Sequence, residues 1–203
     1  MDLQNAIQFW TWFKAHNAKY LFLDEMPEDR KNEAMKELQD ELHKYCDSIY
    51  YLIGDDHNDN KELIITAEGN IRYFDHVEFL IDNALPIPRW NFLKFKPAIG
   101  VGYKAVIQNR EFDPRQTRCA MLESEDPSKG IGLRLYYNDF DLKAKRSFAY
   151  GTYVMLDMIL GEKSATLDIE KLEIVKTPEN IEDLDYFFLD QIKAHIALNK
   201  LGK

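Results

Sequence analysis

Between Glu62 and Pro97 the spacing of apolar residues changes period twice, and each change marks a new element. Leu63, Ile64, Ile65, Thr66 and Ala67 form an uncharged, mostly β-branched run, the pattern of a strand buried on both faces. Glu68-Gly69-Asn70 interrupts it. Gly69 admits a positive φ, and Asn70 suits the N-cap of a following helix. From there Ile71, Phe74, Val77, Leu80, Ile81 and Ala84 recur at spacings of three and four, so they share one helical face. Pro86 and Pro88 end that helix and hold the backbone before them extended. Trp90, Phe92, Lys94 and Lys96 then alternate with Asn91, Leu93 and Phe95, which predicts a second strand with apolar residues on both faces. The single glycine does not make a phosphate loop. Such a loop needs several exposed N–H groups and often a lysine, whereas here Glu68 would repel an anion.

The same reading extends along the chain. Residues 3–23 predict a helix with Leu3, Ile7, Trp10 and Phe13 on one face, widened by Phe9 and Trp12. Beyond Pro27, residues 28–46 predict a second helix through Met35, Leu38, Leu42 and Tyr45, so residues 1–46 form a helical hairpin laid across a sheet. Strands are expected at 49–53 and 61–67 around a polar turn, 54–60. After Gly100 and Gly102 come a strand at 103–108, a loop at 109–116, a strand at 117–123, a turn at 125–130 and a strand at 131–137. Residues 147–160 predict a helix stopped by Gly161, with Glu162 just beyond it facing solvent. A strand at 172–175 ends before Pro178. A terminal helix over 184–201 places Leu184, Phe188, Ile192 and Ile196 on one side.

One order therefore occurs twice: hairpin, helix, strand over 47–97, and again over 103–176. The two copies share no residue-level identity. The expectation is an α+β fold, one domain over 1–203, with a mainly antiparallel sheet built from the two units, the helical hairpin in front and a C-terminal helix at 181–203.

Composition narrows the function classes. The formal net charge is −9, which argues against nucleic acid or anionic membrane as partner, since both need concentrated basic surface. The basic cluster Lys143, Lys145 and Arg146 reads as a solvated loop. Two cysteines far apart, Cys46 and Cys119, read as buried free thiols in a reducing compartment. No basic segment precedes an apolar run at the start, and no stretch approaches the roughly 18 apolar residues of a membrane span. The expected location is the cytoplasm.

Several segments together resemble an uncharacterised bacterial family, a domain of unknown function in intracellular proteins. They are Phe9-Trp10-x-Trp12-Phe13, residues 62–70 with Val77-Glu78 beyond, Trp90 with Phe95-Lys96-Pro97, and Leu156-Asp157-x-x-Leu160-Gly161-Glu162. The resemblance covers most of the chain and rests on packing motifs. It implies a shared fold and carries no activity or catalytic residue.

Candidate chemistry is sparse. Asp55, Asp56, Asn58, Asp59 and Asn60 make an oxygen-rich turn, but a calcium loop needs a glycine at its sixth position and a glutamate at its twelfth. Counted from Asp55 these are Asn60 and Thr66, so a hydrogen-bonded turn is the better account. Among His16, His43, His57, His76 and His195 there is no His-x-x-x-His pair, and no Gly-x-Ser-x-Gly occurs. His76 beside Asp75 is one catalytic candidate. Asp157 is the other, because it interrupts a helix that is otherwise apolar almost all round. Trp90, Tyr136 and Tyr153 are candidate binding residues, with Trp10, Trp12, Tyr137 and Tyr150 as further large aromatics. No metal set and no cofactor fingerprint is expected.

These observations favour a non-enzymatic, acidic cytoplasmic module that binds or regulates another protein. The alternative is a small-molecule binder or enzyme using a carboxylate near Asp157. Self-association through the helix at 153–160 is a third reading.

Overall fold

The strand, helix and strand expected at 62–97 are present, and they organise the first half of the chain. The computed structural model describes residues 2–56, 58, 60–123 and 129–201. His57 and Asp59 of the polar turn, residues 125–128 of the turn expected at 125–130, and the last two residues of the expected C-terminal helix lie outside the described residues. The chain divides into two compact units, Met1–Lys96 and Pro97–Lys203, each with its own apolar core.

In the first unit, β1 (Tyr50–Asp55) runs antiparallel to β2 (Lys61–Thr66). The chain then crosses over through α3 (Phe74–Asp82) and returns as β3 (Trp90–Lys94), parallel to β2, giving the order β1-β2-β3. Asn70 caps the crossover as expected: its side-chain oxygen accepts the Arg72 N–H at 3.3 Å, and a 3-10 turn, Ile71–Tyr73, leads into α3. Phe95 ends β3 with φ 62°, and its ring packs on Phe74 at 4.6 Å. The polar turn organises itself around Asp56, whose carboxylate accepts the N–H groups of Asn58 and Asn60 and the side-chain amide of Asn91.

The helical hairpin is α1 (Leu3–Tyr20) and α2 (Glu28–Tyr45). Trp10 and Phe13 of α1 meet Phe92 and Trp90 of β3 at ring separations of 4.5 and 5.0 Å. The Trp10 indole Nε1 donates to the Leu80 carbonyl of α3 at 2.7 Å. All three helices therefore bear on one core. The buried stripe of α1 is Ala6, Phe9, Trp10, Phe13 and Tyr20, which corrects the expected face: Leu3 and Ile7 are 49% and 51% exposed. That rotation keeps Phe9, Trp10 and Phe13 inward and adds Tyr20, a larger apolar area than Leu3 and Ile7 offer.

The second unit repeats the plan. β6 (Arg118–Leu122) and β7 (Ile131–Tyr137) form the antiparallel pair. α4 (Lys145–Leu160) is the crossover, and β8 (Ile169–Lys176) returns parallel to β7. The caps correspond too. Asp141, like Asn70, stands four residues beyond the central strand, accepts the N–H two residues on, and opens a 3-10 turn, Leu142–Ala144, into the helix. The fold is thus α+β, with two hairpin–helix–strand units and, among the described residues, four antiparallel and two parallel strand pairings. No described helix is long and apolar enough to cross a membrane.

Several expectations for this unit need correction. The loop expected at 109–116 contains β5 (Arg110–Phe112), paired with β4 (Ala105–Ile107). Gln108 and Asn109 join them with φ of 50° and 62°, a tight turn matched to strand twist that here lacks its usual glycine. Beyond Gly161, whose φ is 78°, α5 (Glu162–Leu167) begins at once, and Glu162 is buried rather than solvated. The terminal helix is shorter than 184–201. A strand β9 (Phe187–Phe188) pairs with β6, and only then does α6 (Ile192–Leu201) begin. The open edge of β6 draws this segment into the sheet order β8-β7-β6-β9, and the Leu189 N–H reaches the Thr117 carbonyl at 2.9 Å. Ile192 and Ile196 are buried as expected, while Leu184 is exposed and Phe188 belongs to the strand.

Candidate functional site

The second unit presents α4 with two unlike faces. The Gly161 N–H closes its last turn on the Asp157 carbonyl at 2.8 Å. Its inner face, Phe148, Gly151, Thr152, Met155, Leu156, Ile159 and Leu160, is buried. Phe148 packs against Tyr137 and Phe140, both at 5.1 Å, and the Arg110 guanidinium lies 4.0 Å from its ring centre. The Tyr137 hydroxyl and Thr152 Oγ1 are 2.8 Å apart.

The outer face carries Arg146, Tyr150 and Tyr153, all exposed, with Ala149, Val154 and Asp157 half-buried beside them. Tyr150 and Tyr153 are 61% and 58% exposed. The basic cluster that reads as a loop in the sequence is instead the 3-10 turn and first turn of this helix, still solvent-facing. Among the described residues Arg146 makes no ion pair.

Tyr153 and Asp157 thus come together, one turn apart on one helix face. The other candidates lie elsewhere. Trp90 is buried in the first unit's core, its indole Nε1 donating to Asn17 Oδ1 at 3.2 Å. His76, in the same unit, sits between Tyr45 and Tyr73, and its buried Nδ1 has no hydrogen-bond partner among the described residues.

Tyr136 borders a cleft of about 220 Å³ in the second unit. The cleft opens beyond the carboxyl ends of the parallel strands β7 and β8, at Asn138 and Thr177, where open α/β sheets commonly place ligands. Asp113 lines its wall and is buried. Arg115 Nε and Nη2 each lie 3.0 Å from the Asp113 carboxylate and hold it below the ordinary carboxylate range, against the opposing effect of burial. Neither Asp113 nor Arg146 carries a motif in the sequence. The one available signal is that Asp113-Pro114 followed by Thr117 is turn chemistry.

Nucleophilic chemistry finds little support. Burial pushes both thiols, Cys46 and Cys119, above their ordinary range and so keeps them protonated. The His16 ring bonds the Trp12 carbonyl, His43 the Gln39 amide, and His195 stacks on Phe187 at 3.7 Å. Among the described residues no group of three His, Cys, Asp or Glu side chains is placed to hold a metal. No family model matches the chain, and neither a curated protein nor a solved structure matches it.

Proposed function

We propose that this chain is a non-enzymatic protein-interaction module whose recognition surface is the outer face of α4. The observation that carries the reading is the pair Tyr150 and Tyr153, both well exposed on a helix whose opposite face is packed on its core. Tyrosine and arginine are the residue types enriched where proteins bind, and Arg146 stands one turn from Tyr150. The net charge of −9 supports a protein partner over nucleic acid or anionic membrane, and the site of action is the cytoplasm. The test is a photo-reactive amino acid placed at position 150 and irradiated in living cells. A discrete protein adduct is expected, and it disappears on adding Y153A. An absence of any adduct overturns the reading.

A second reading is a small polar ligand in the cleft beside Tyr136. The buried, ionised Asp113 favours it. Its size counts against it: the cleft is about 220 Å³, and pockets for drug-sized ligands span about 300–1,000 Å³. Native mass spectrometry of the protein taken gently from its host decides, because a bound small molecule adds its own mass.

A further inference from the structure

We propose that the partner covering the outer face of α4 is a second copy of this chain, packed antiparallel about a two-fold axis. This rests on the reading of that face as an interaction surface. The face runs Arg146, Ala149, Tyr150, Tyr153, Val154, Asp157. An antiparallel copy centred between Gly151 and Thr152 sets Arg146 opposite the partner's Asp157. The same register sets Tyr150 opposite the partner's Tyr153, while Ala149 and Val154 lie on opposite flanks of the stripe. Both pairs share one midpoint.

A two-fold interface demands this reciprocity, because if one residue meets a second, the second must meet the first. Spacings of four, three and four give any helical stripe a common midpoint, so it is the opposite charges at its two ends that single out a second copy. The chemistry fits the register. Opposite charges close both ends, and two tyrosine pairs fill the middle, where offset or edge-to-face ring packing is favourable. A parallel pairing would instead set Arg146 against Arg146, a like-charge contact that costs affinity. Asp157 already makes contacts within its own subunit, and the partner's Arg146 adds to them.

The area sets the strength. A fully covered aromatic side chain buries ~150–250 Å². At the exposures of Tyr150 and Tyr153, four tyrosines contribute roughly 400–600 Å². With the flanking residues the interface lies near or below the ~1,200 Å² at which stable complexes begin. The dimer is therefore weak, monomeric when dilute and paired when concentrated.

Sedimentation equilibrium of the full chain from micromolar to near-millimolar concentration tests this. The expected mass rises from 23.9 kDa toward twice that value. Y150A/Y153A stays monomeric. R146E weakens association roughly tenfold, the scale of a close interfacial charge pair, and D157R added to R146E restores it. Should D157R fail to fold, an oxidised equimolar mixture of Y150C and Y153C replaces it, and it must form disulfide dimer faster than either variant alone. A monomer at every concentration, or a dimer unchanged by Y150A/Y153A, overturns the proposal. A monomer whose position 150 crosslinks to a different protein removes the self-pairing and keeps the interaction reading. A monomer with no adduct removes both.

Discussion

The Phe112 ring lies against Gly151, where a β-carbon would meet three ring atoms at 2.2, 2.3 and 2.6 Å. β5 thereby seats its ring directly on the backbone of α4. Gly151→Ala gains the roughly 0.5–1 kcal/mol by which alanine exceeds glycine in a helix. It also forces a fully buried ring to move, and overpacking of this kind costs typically ~1–3 kcal/mol. The overlap is severe enough for the second effect to win. We expect a net loss of stability, read as a lower midpoint in urea.

Trp10 links α1 to α3 through its indole N–H on the Leu80 carbonyl. Trp10→Phe keeps an aromatic ring but removes that bond and part of the packing against Phe92. The Leu80 carbonyl retains the Asn83 N–H at 3.3 Å, so it is not orphaned. The expected cost is about 1–3 kcal/mol, below that of Trp10→Ala. Chemical denaturation of the two variants checks the order.

Asp113 gives the second unit an acid-sensitive element. Hydrogen bonds and charge from Arg115 hold its folded pKa below the ordinary value, so its contribution is present above the unfolded value of about 3.9. That contribution is lost as pH falls through the lower, folded value. Asp113→Asn removes the ionised form at every pH. The gap in melting temperature between wild type and D113N should therefore be largest near neutrality and shrink below about pH 4. A gap that stays constant would contradict this account.

Tyr150 and Tyr153 face solvent, so neither should matter to the fold. Tyr150→Ala and Tyr153→Ala should each change stability by less than about 0.5 kcal/mol in dilute solution. Thermal melts at low concentration test this. A large loss would mean that the rings pack within the chain and are not held for a partner.

The repeated hairpin–helix–strand order was legible because its signals are local. β-branched runs, a capping Asn70, and apolar spacings of three and four are all read within a few residues, whereas the matching cap at Asp141 emerged only in the structure. The tight turn at Gln108-Asn109 was not: Asn109 accepts a positive φ, but Gln108 does not favour one and no glycine marks the turn. Nor was β9: Leu184, Phe188, Ile192 and Ile196 fit a helical face, and only the open edge of β6 turns Phe187 and Phe188 into strand. The candidate site was legible in its members and not in its grouping. Tyr153 and Asp157 stood out singly, while Arg146 looked like part of a solvated loop.

From the sequence alone follow the α+β class, the Asn70 cap, the hairpin–helix–strand order and the acidic balance, because each depends on neighbours in the chain or on composition. Tertiary structure decided which face of each amphipathic element is buried. On α1 the choice fell on four aromatic rings over Leu3 and Ile7. On α4 the core took the side with Gly151, because only that side admits Phe112, and so Tyr150 and Tyr153 were left to the solvent. Periodicity shows that a helix has an apolar side. When apolar residues surround nearly the whole helix, as in α4, only the shape of what packs against it determines which of them remain outside.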